Sequence, residues 1–588
     1  MGLTWKPGEF KLGINMAGAV SAGAYTAGVL DFLIEALEEW QKLKDQFRGR
    51  PAHPAPGEPP PAVPLHDVTI EIFTGASAGG MCAAIASVMV QQDFVHIQTA
   101  TETNTNNVFY ESWVNTIDIR ELLKTEDLAA GGPVVSLLDS TIIDRIASTA
   151  LVPGPPIHRP YISERLNLMV TLSNMRGTPY QLYVDPSPGT EEFIEYFGDR
   201  LHFETTSGGA SPSAPQAKPL PSGAPGAGAW PLLQEAAKAT GAVPVFLAPR
   251  VLARDTCDYL TPLWKQCGAT PDAASVRPAF PPGVPATLKT LNVDGGVTDN
   301  DPFDLAHGFL AGQNPKAQPR PNLPGAPAHN PSGALDANCA VITVAPFPAG
   351  DKFDPNFNAE ASANIWTTLG RVFTALISQS RFLGESLASL ASGVSFSRFA
   401  IAPSDPGQAD GQALQCGTLG AFGGFLDRGF RAHDFLLGRR NCQKFLMTEF
   451  CLPKNNPIIA AGLASAGEFA PQLDSFLVGP PNDAVQPQGR VWMPIIPLVG
   501  SAALTVPPPA RAQISSQSLD QIASMALARI KAIKSSLLAG APWLVRMLAA
   551  AAFLWPASSL IKGKIRKALS GALPPTSQVG GPPTARRE

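Results

Sequence analysis

A short glycine-rich turn between an apolar strand and a small-residue helix restricts the fold of this chain more than any other feature. Residues 68–73 are β-branched and apolar, as in a buried strand, and residues 78–90 are mostly small and helix-forming. Between them stands Gly75-Ala76-Ser77-Ala78-Gly79, a G-x-S-x-G sequence. Two glycines allow a sharp strand-to-helix turn that lifts the serine hydroxyl to the helix N-terminus. The turn therefore predicts a strand–helix unit with Ser77 as a candidate nucleophile.

Further strands and helices alternate along residues 1–345. Residues 10–16 and 288–293 are short apolar strand candidates. Residues 25–43 carry apolar side chains at helical spacing, and Pro302 stands where another helix begins, a favoured place for proline. Alternation of this kind predicts an α/β fold with a mainly parallel central sheet covered by helices.

Composition divides the 588 residues into three parts. We expect a large α/β domain over residues 1–345, a mostly helical C-terminal region over 346–538, and an apolar and basic tail over 539–588. Stretches rich in proline, alanine and glycine bury little apolar surface and are expected to be insertions. They lie near residues 48–64, 205–231 and 313–331.

The net charge and the cysteines narrow the function classes. The net charge is −4 and 16% of the residues are charged, below the usual ~25%, so bulk electrostatics do not favour a nucleic-acid partner. Seven scattered cysteines without a CxxC pair predict no metal site and are typical of free thiols in a reducing compartment. Residues 1–10 lack the apolar run of a secretory signal, so we expect a cytoplasmic protein.

A second stretch of small residues, 18–28, follows the first predicted strand. It begins Gly18-Ala19-Val20-Ser21-Ala22-Gly23. Small residues at a strand-to-helix junction let main-chain N–H groups point at an anion, which suits an oxyanion hole and equally suits a phosphate. The Gly-Lys-Ser/Thr ending of a P-loop is missing, so a nucleotide is not expected. The alternative is a tightly packed turn.

A third motif places an acid directly after a predicted strand. Asp294-Gly295-Gly296 follows residues 288–293. Open α/β sheets hold their sites at the carboxyl ends of strands, so Asp294 is a candidate base for Ser77. Burial beside an apolar strand should raise its pKa above that of an ordinary carboxyl group. The alternative is a loop aspartate that caps the following turn.

The three motifs, in this order, resemble the patatin-like phospholipase family in its bacterial form, with long insertions and a helical C-terminal extension. Residues 23–30 and 239–246 and the segment Asp299-Asn300-Asp301-Pro302 are also similar to that family. The resemblance covers residues 10–345. It implies a three-layer sandwich around a mainly parallel sheet. It also implies a Ser–Asp dyad that needs no cofactor.

The resemblance assigns a role to each motif. Ser77 is the nucleophile that forms an acyl-enzyme, and Asp294 is its base. The residues implied to form the oxyanion hole are Gly18, Ala19, Val20, Ser21, Ala22, Gly23 and Ala78. The glycines implied to shape the elbow and the acid motif are Gly75, Gly79, Gly295 and Gly296. The implied activity is that of a phospholipase A, a lysophospholipase or a lipase-type esterase, acting on a phospholipid or another lipid ester.

The loop of small residues departs from the family pattern. Ala19 and Val20 stand where the family has glycines, and Ala22 stands where it has arginine or a similar residue. A β-branched valine is stiffer and bulkier than the glycine that it replaces. The departure motivates a second hypothesis, a catalytically impaired protein that binds lipids or membranes.

Histidines that follow Asp294 leave a third hypothesis open, a Ser–His–Asp esterase of the α/β-hydrolase type. His307, His329 and His433 give the chain order serine, aspartate, histidine that these enzymes have. His433 lies among several charged residues, and its alternative interpretation is a packed histidine in a helix with surface charges.

The end of the chain is basic and apolar. After Asp520 there are ten lysines and arginines, and the only acid is Glu588. Residues 541–561 are apolar and contain Trp543 and Trp555, but Arg546 interrupts them before the ~20 residues expected of a membrane span. Flanking basic residues and tryptophans suit an anchor at the membrane interface, and a buried core helix is the alternative. The tail therefore predicts a peripheral contact with a membrane surface.

Overall fold

The structure is a computed structural model in which the described residues span most of the chain. They are residues 5–6, 8–48, 62–103, 105–129, 133–183, 191–214, 216–260, 264–265, 275–276, 278–318, 328–347, 380, 395–406, 408, 412–419, 421–481, 491–539, 562–563, 566–567 and 569–570. The predicted apolar stretch 541–561 lies outside them, as do residues 361–379 and 381–390 of the predicted helical region.

Strands and helices alternate as the sequence predicts. The strands are β1 (Glu9–Met16), β2 (Asp67–Gly75), β3 (Ile162–Tyr183), β4 (Glu191–Thr206), β5 (Lys218–Pro221), β6 (Arg250–Asp255), β7 (Trp264–Lys265), β8 (Ser275–Val276), β9 (Thr287–Asp294), β10 (Cys339–Val344), β11 (Arg398–Ile401), β12 (Cys451–Pro453) and β13 (Trp492–Pro494). The helices are α1 (Gly23–Arg48), α2 (Ser77–Met89), α3 (Val108–Tyr110), α4 (Ile119–Leu122), α5 (Thr141–Ala150), α6 (Trp230–Thr240), α7 (Phe303–Ala311), α8 (Arg428–Thr448), α9 (Pro457–Ala464) and α10 (Ser516–Ala539).

One large sheet organises the molecule. Seven of the described strands lie in the order β11-β10-β1-β2-β3-β4-β5, and β9 pairs with β3 and with β6. The four pairings among the five strands from β11 to β3 are all parallel. The pairings of β3 with β4 and β9, and of β6 with β9, are antiparallel. The fold is therefore α/β with a mostly parallel central sheet.

Helices cover both faces of this sheet, because alternate residues of each strand point to opposite sides. Phe10, Leu12 and Ile14 of β1 belong to the main core, together with apolar residues of α1 and α2. Gly13 faces the other side, where its position lies beneath Ala306 of α7. A smaller apolar cluster holds α7 on that face.

Helices α1 and α8 lie close together through glycines and a buried ion network. A Cβ on Gly28 of α1 would lie 1.9 Å from the main-chain oxygen of Phe435 in α8, so the two backbones touch at this point. Arg439 of α8 forms ion pairs with Asp31 and Glu35 of α1, all of them buried. Arg439, one of the polar residues of α8 that resembled surface charges, is therefore internal, because α1 supplies carboxylates for it.

Two predicted boundaries fall inside the sheet. The proposed insertion 205–231 contains the end of β4, strand β5 and the start of α6. Pro219 and Pro221 fit in β5 because it is an edge strand, where missing N–H donors cost no ladder bond. The boundary at residue 345 separates β10 from β11, yet these strands pair in one sheet. The region after 345 is therefore part of the same architecture.

Helix α1 belongs to this core. Residues Val20–Arg48 are the one described stretch that is long and apolar enough to cross a membrane by length and composition. In the structure, 94% of its most apolar window is buried inside the protein.

Candidate active site

Ser77 lies at the sharp turn between β2 and α2. Strand β2 ends at Gly75 and α2 begins at Ser77, whose φ is +53°, in the left-handed region that side chains rarely adopt. A Cβ on Gly79 would lie 2.1 Å from the Met16 main-chain oxygen, and one on Gly75 would lie 2.5 Å from that of Gly79. Both glycines of the motif are therefore required by close packing, and the strained serine is of the kind found at functional sites.

The side chains of Ser77 and Asp294 are in direct contact. The Ser77 Oγ donates a hydrogen bond to Asp294 Oδ2 over 2.6 Å. Asp294 Oδ1 accepts a second hydrogen bond, 2.7 Å long, from the Gly296 N–H. Each residue of the pair is only 5% exposed. The acid is thus oriented by its own glycine motif, and the serine hydroxyl has a base within proton-transfer distance.

Asp294 reaches Ser77 because β9 runs against β3. Gly75 at the end of β2 is level with Val170 of β3, and Asp294 pairs with Leu172, two residues further along β3. The carboxyl end of β9 thus meets the carboxyl end of β2 from the opposite direction. Gly295 then passes so close to β3 that a Cβ would lie 2.2 Å from the Thr171 main-chain oxygen.

Burial changes the acidity of Asp294. Loss of hydration raises its pKa from 3.8 to about 7, although the hydrogen bonds from Ser77 and the Gly296 N–H both act to lower it. The increase agrees in direction with the sequence-based expectation. A carboxylate with this pKa is a far better proton acceptor near neutral pH than an exposed one.

The loop between β1 and α1 offers fewer free N–H groups than the sequence suggests. The Gly18 N–H donates to the Asn300 main-chain oxygen, and the Ser21 N–H donates to that of Ala421. The Ala22 N–H donates to the Ala19 oxygen, and the Gly23 N–H is engaged within the same turn. These four members of the expected oxyanion set are therefore occupied by main-chain bonds.

Three members of that set remain available. Within the described part of the chain, the N–H groups of Ala19, Val20 and Ala78 have no hydrogen-bond acceptor. Val20 has φ +48°, an unusual conformation for a β-branched residue. Gly18 packs beside Ser77, since a Cβ there would lie 3.1 Å from the Ser77 Cβ. The strained turn at Val20 thus lies next to Ser77 with its donors unused.

An apolar cleft of about 600 Å³ opens at Ser77. Val20, Ser77 and Ala78 line part of it. The rest of its wall is almost entirely apolar and consists of Met81, Ile85, Ser112, Trp113, Ile117, Leu122, Leu138, Ile143, Ile146, Gly241, Val243, Leu247, Phe422 and Phe425. Its lining suits a hydrocarbon chain.

The histidines lie elsewhere. In the described residues, no histidine forms a hydrogen bond with Ser77 or with the Asp294 side chain. His433 is buried in α8, where its Nδ1 lies 2.7 Å from Asp434 Oδ1. His307 stacks on Phe303 in α7. His329 lies in the bridge with Gln318.

Residues that the motifs did not single out also hold the dyad in place. The Ser77 N–H donates to Thr240 Oγ1 over 2.9 Å, and the Ser173 hydroxyl donates to the Asp294 main-chain oxygen. Asn300 lies against both Gly18 and Gly296. Thr240 and Asn300 belong to segments similar to the patatin-like family, and that similarity was the only signal for them. Nothing in the sequence pointed to Ser173.

One group of described side chains has a spacing that a metal would fit. Ligand atoms of Asp255, Cys257 and Asp258 all lie within 4.8 Å of one another near the surface. Both carboxylates are already paired with Lys218, at 3.2 and 2.8 Å. Ion pairing therefore accounts for the cluster, and it lies outside the cleft at Ser77.

Comparison with known proteins gives one informative relative. A scan against models of protein families gives no match. Over 576 residues the chain is 32% identical to uncharacterized protein y4iI of Sinorhizobium fredii (strain NBRC 101917 / NGR234), and the similarity covers 89% of this chain and 75% of y4iI. At this identity and coverage, the chain belongs to the same family as y4iI.

Proposed function

We propose that this protein is a serine hydrolase of lipid acyl esters, of the patatin-like type. The observation that carries the proposal is the 2.6 Å hydrogen bond from Ser77 Oγ to the buried Asp294 carboxylate, beside an apolar cleft. The strained φ of Ser77 and the order of the motifs along the chain support it further. A three-layer arrangement of the patatin-like kind is part of the proposal.

The reaction would proceed through an acyl-enzyme. Asp294 Oδ2 takes the Ser77 proton as Oγ attacks the ester carbonyl carbon, and the carbonyl oxygen becomes an oxyanion. The free N–H groups of Ala19, Val20 and Ala78 are the donors suited to that oxyanion. The protonated Asp294 then gives its proton to the leaving alcohol. A water molecule, deprotonated by Asp294, releases the fatty acid and restores Ser77.

The cleft favours a long acyl chain over a polar acyl group. Its wall beyond Ser77 offers carbon atoms and almost no hydrogen-bonding groups. Burial of apolar surface contributes about 25 cal/mol per Å², so each methylene adds binding energy there, whereas a polar group would lose its hydration uncompensated. The proposed substrates are therefore phospholipids or other lipid esters.

A fluorophosphonate probe and a lipid hydrolysis panel test the proposal. Wild type should be labelled and should release fatty acid, whereas Ser77→Ala should do neither and Asp294→Asn should lose hydrolysis, all with the fold retained. Ser465→Ala is the matched control, because Ser465 lies in the similar sequence Ala464-Ser465-Ala466-Gly467 but is exposed at the end of α9. Hydrolysis by Ser77→Ala would refute the assignment of Ser77 as the nucleophile.

The strained Val20 motivates a second candidate, a lipid-binding protein with impaired catalysis. Val20 is β-branched and has a φ of +48°. A small shift of the loop at this residue would move the proposed oxyanion donors. A folded wild type that binds lipid but resists the fluorophosphonate would favour this candidate, since only an activated serine reacts. Loss of activity in a folded His433→Ala variant would instead favour a Ser–His–Asp mechanism.

The basic, apolar tail is proposed to contact a membrane surface, where lipid substrates reside. Removal of residues 537–588 should weaken flotation with anionic liposomes and leave hydrolysis of a soluble ester unchanged. Unchanged flotation would exclude the tail as an anchor.

A further inference from the structure

A second cavity lies on the face of the sheet opposite to Ser77. Its volume is about 1260 Å³, counted out to its open mouth. Thr171 and Arg200 line it, and they pair across β3 and β4, so they share one face. Val170 and Leu172, on either side of Thr171 in the chain, belong to the main core on the other face. The cavity therefore borders α7 and is separated from the apolar cleft by the sheet.

Arg200 is a cation without a partner in this cavity. Within the described residues its guanidinium donates no hydrogen bond and has no carboxylate oxygen within 4.0 Å. Burial lowers the pKa of Arg200, against the opposing effect of Asp199. A guanidinium withdrawn from water normally gains paired acceptors, and carboxylate or phosphate groups fit its planar donors best.

Two of the acids that line the cavity, Asp199 and Asp258, are already paired with other residues. Asp199 accepts hydrogen bonds from Arg254 and Tyr259, each 2.9 Å long. Asp258 pairs with Lys218 at 2.8 Å and with Arg254 at 3.4 Å. These two acids therefore have two basic partners of their own and do not neutralise Arg200.

Asp299 is the acid that acts on Arg200 from the loop before α7. Burial, with Asp301 and Asp304 nearby, raises the pKa of Asp299 to about 7. Arg200 and Tyr196 on β4 are the other groups that act on it electrostatically. Below pH 7 this carboxyl group is mostly protonated, so it stops competing with an incoming anion and becomes a hydrogen-bond donor.

A further buried polar atom in the wall lacks a partner. His202 is 6% exposed, and its Nε2 lies 2.8 Å from Asn167 Oδ1. Its Nδ1 has no hydrogen-bond partner in the described part of the chain. Buried polar atoms are usually satisfied, so this nitrogen, in the same wall as the partly buried and unpaired Arg200 guanidinium, suits a polar occupant.

We propose that this cavity binds a small organic anion whose carboxylate or phosphate group pairs with Arg200. The three tyrosines of the wall, Tyr180, Tyr196 and Tyr259, supply ring faces for the rest of the molecule. The site is independent of the proposed hydrolysis, because it shares no lining residue with the cleft at Ser77.

Isothermal titration at constant ionic strength tests the site with three probes: inorganic phosphate, glycerol 3-phosphate and succinate. Saturable binding of at least one is expected, and the phosphate and succinate titrations distinguish the two anion classes. Arg200→Ala should weaken that binding at least tenfold, equivalent to about 1.4 kcal/mol. Arg176→Ala is the matched control, since Arg176 is exposed on the neighbouring strand β3 outside the cavity, and it should bind as wild type does.

The pH dependence gives a second, independent measurement. Binding should strengthen as the pH falls from 8 to 6, and Asp299→Asn should remove most of that change. If Arg200→Ala fails to fold, Arg200→Gln takes its place, because its amide retains part of the polarity. Absence of saturable binding to wild type, equal affinity in the Arg200 variant, or equal loss in Arg176→Ala would each overturn the proposal. Unchanged binding by Ser77→Ala is expected whatever the outcome for hydrolysis.

Discussion

Replacement of Asp294 by asparagine should stabilise the protein at alkaline pH. The carboxyl group has a pKa of about 7 in the folded protein against 3.8 ordinarily, a difference of about 3 pH units. Each unit corresponds to about 1.36 kcal/mol, so the ionised group costs the folded state about 4 kcal/mol. The cost is absent below pH 4, grows as the pH rises from 4 to 7, and is complete above 7. Asparagine has the same shape and never ionises.

Urea unfolding of wild type and Asp294→Asn at pH 5.5 and pH 8.5 measures this cost. The advantage of the asparagine variant should grow by about 2 kcal/mol between the two conditions, as linkage of these two pKa values requires. Ser77→Ala is the matched comparison, because it keeps the carboxyl group and should follow the trend of wild type. An advantage that does not change with pH would refute the argument that burial controls Asp294.

The same pKa fixes the direction of the pH–activity profile. Only the ionised carboxylate accepts the Ser77 proton, so kcat/KM for ester hydrolysis should rise through about pH 7 and then level off. Below pH 6 it should fall about tenfold per unit. A profile that is flat from pH 5 to 8 would contradict Asp294 as the base.

Three further predictions concern packing and support. Gly28→Ala should destabilise the protein by at least about 2 kcal/mol, because its Cβ would overlap the main chain of α8. Gly308→Ala in α7, with open space around it, should stabilise the protein by up to about 1 kcal/mol through helix propensity. Thermal melts of the two variants compare these effects. Arg439→Met leaves two buried carboxylates unpaired and should cost about 3–5 kcal/mol in urea unfolding, against about 0.5 kcal/mol or less for the neighbouring Arg440→Met. Thr240→Val leaves the Ser77 N–H without its acceptor, so it should lower the free energy of unfolding by about 1–3 kcal/mol and should also lower kcat. Thr240→Ser keeps the hydroxyl group and should retain the stability and the kcat of wild type.

Local patterns predicted the elements around the dyad well. The strands before Ser77 and Asp294 and the helix after Ser77 were expected within two residues of their observed bounds. Their signals are local, because a buried strand and a glycine turn are encoded by adjacent residues. The antiparallel direction of β9 had no local signal, since strand pairing depends on residues distant in the chain. The sequence therefore predicted that Asp294 lies at the carboxyl edge of the parallel strands, but not the direction of the strand that leads to it.

Long-range packing accounts for what the sequence did not predict. The polar face of α8 looked solvent-exposed because its partners, Asp31 and Glu35, lie about 400 positions away, as in the pairs formed by Arg439. Strand β5 looked like a linker because its prolines are acceptable only at an edge, which cannot be known before the sheet order. The occupied N–H groups of Gly18 and Ser21 depend on main-chain oxygens of Asn300 and Ala421, and the sequence does not indicate these long-range contacts.

The separation of Ser77 from Asp294 has a consequence for the timing of activity during synthesis. Their side chains are 217 positions apart, and at roughly 5–20 residues per second the chain needs about 10–40 s to extend from one to the other. Until β9 emerges and adds to β3, the serine has no base. A nascent or prematurely terminated chain should therefore be inert toward the lipids around it, and the proposed hydrolysis would begin only after β9 has paired with β3.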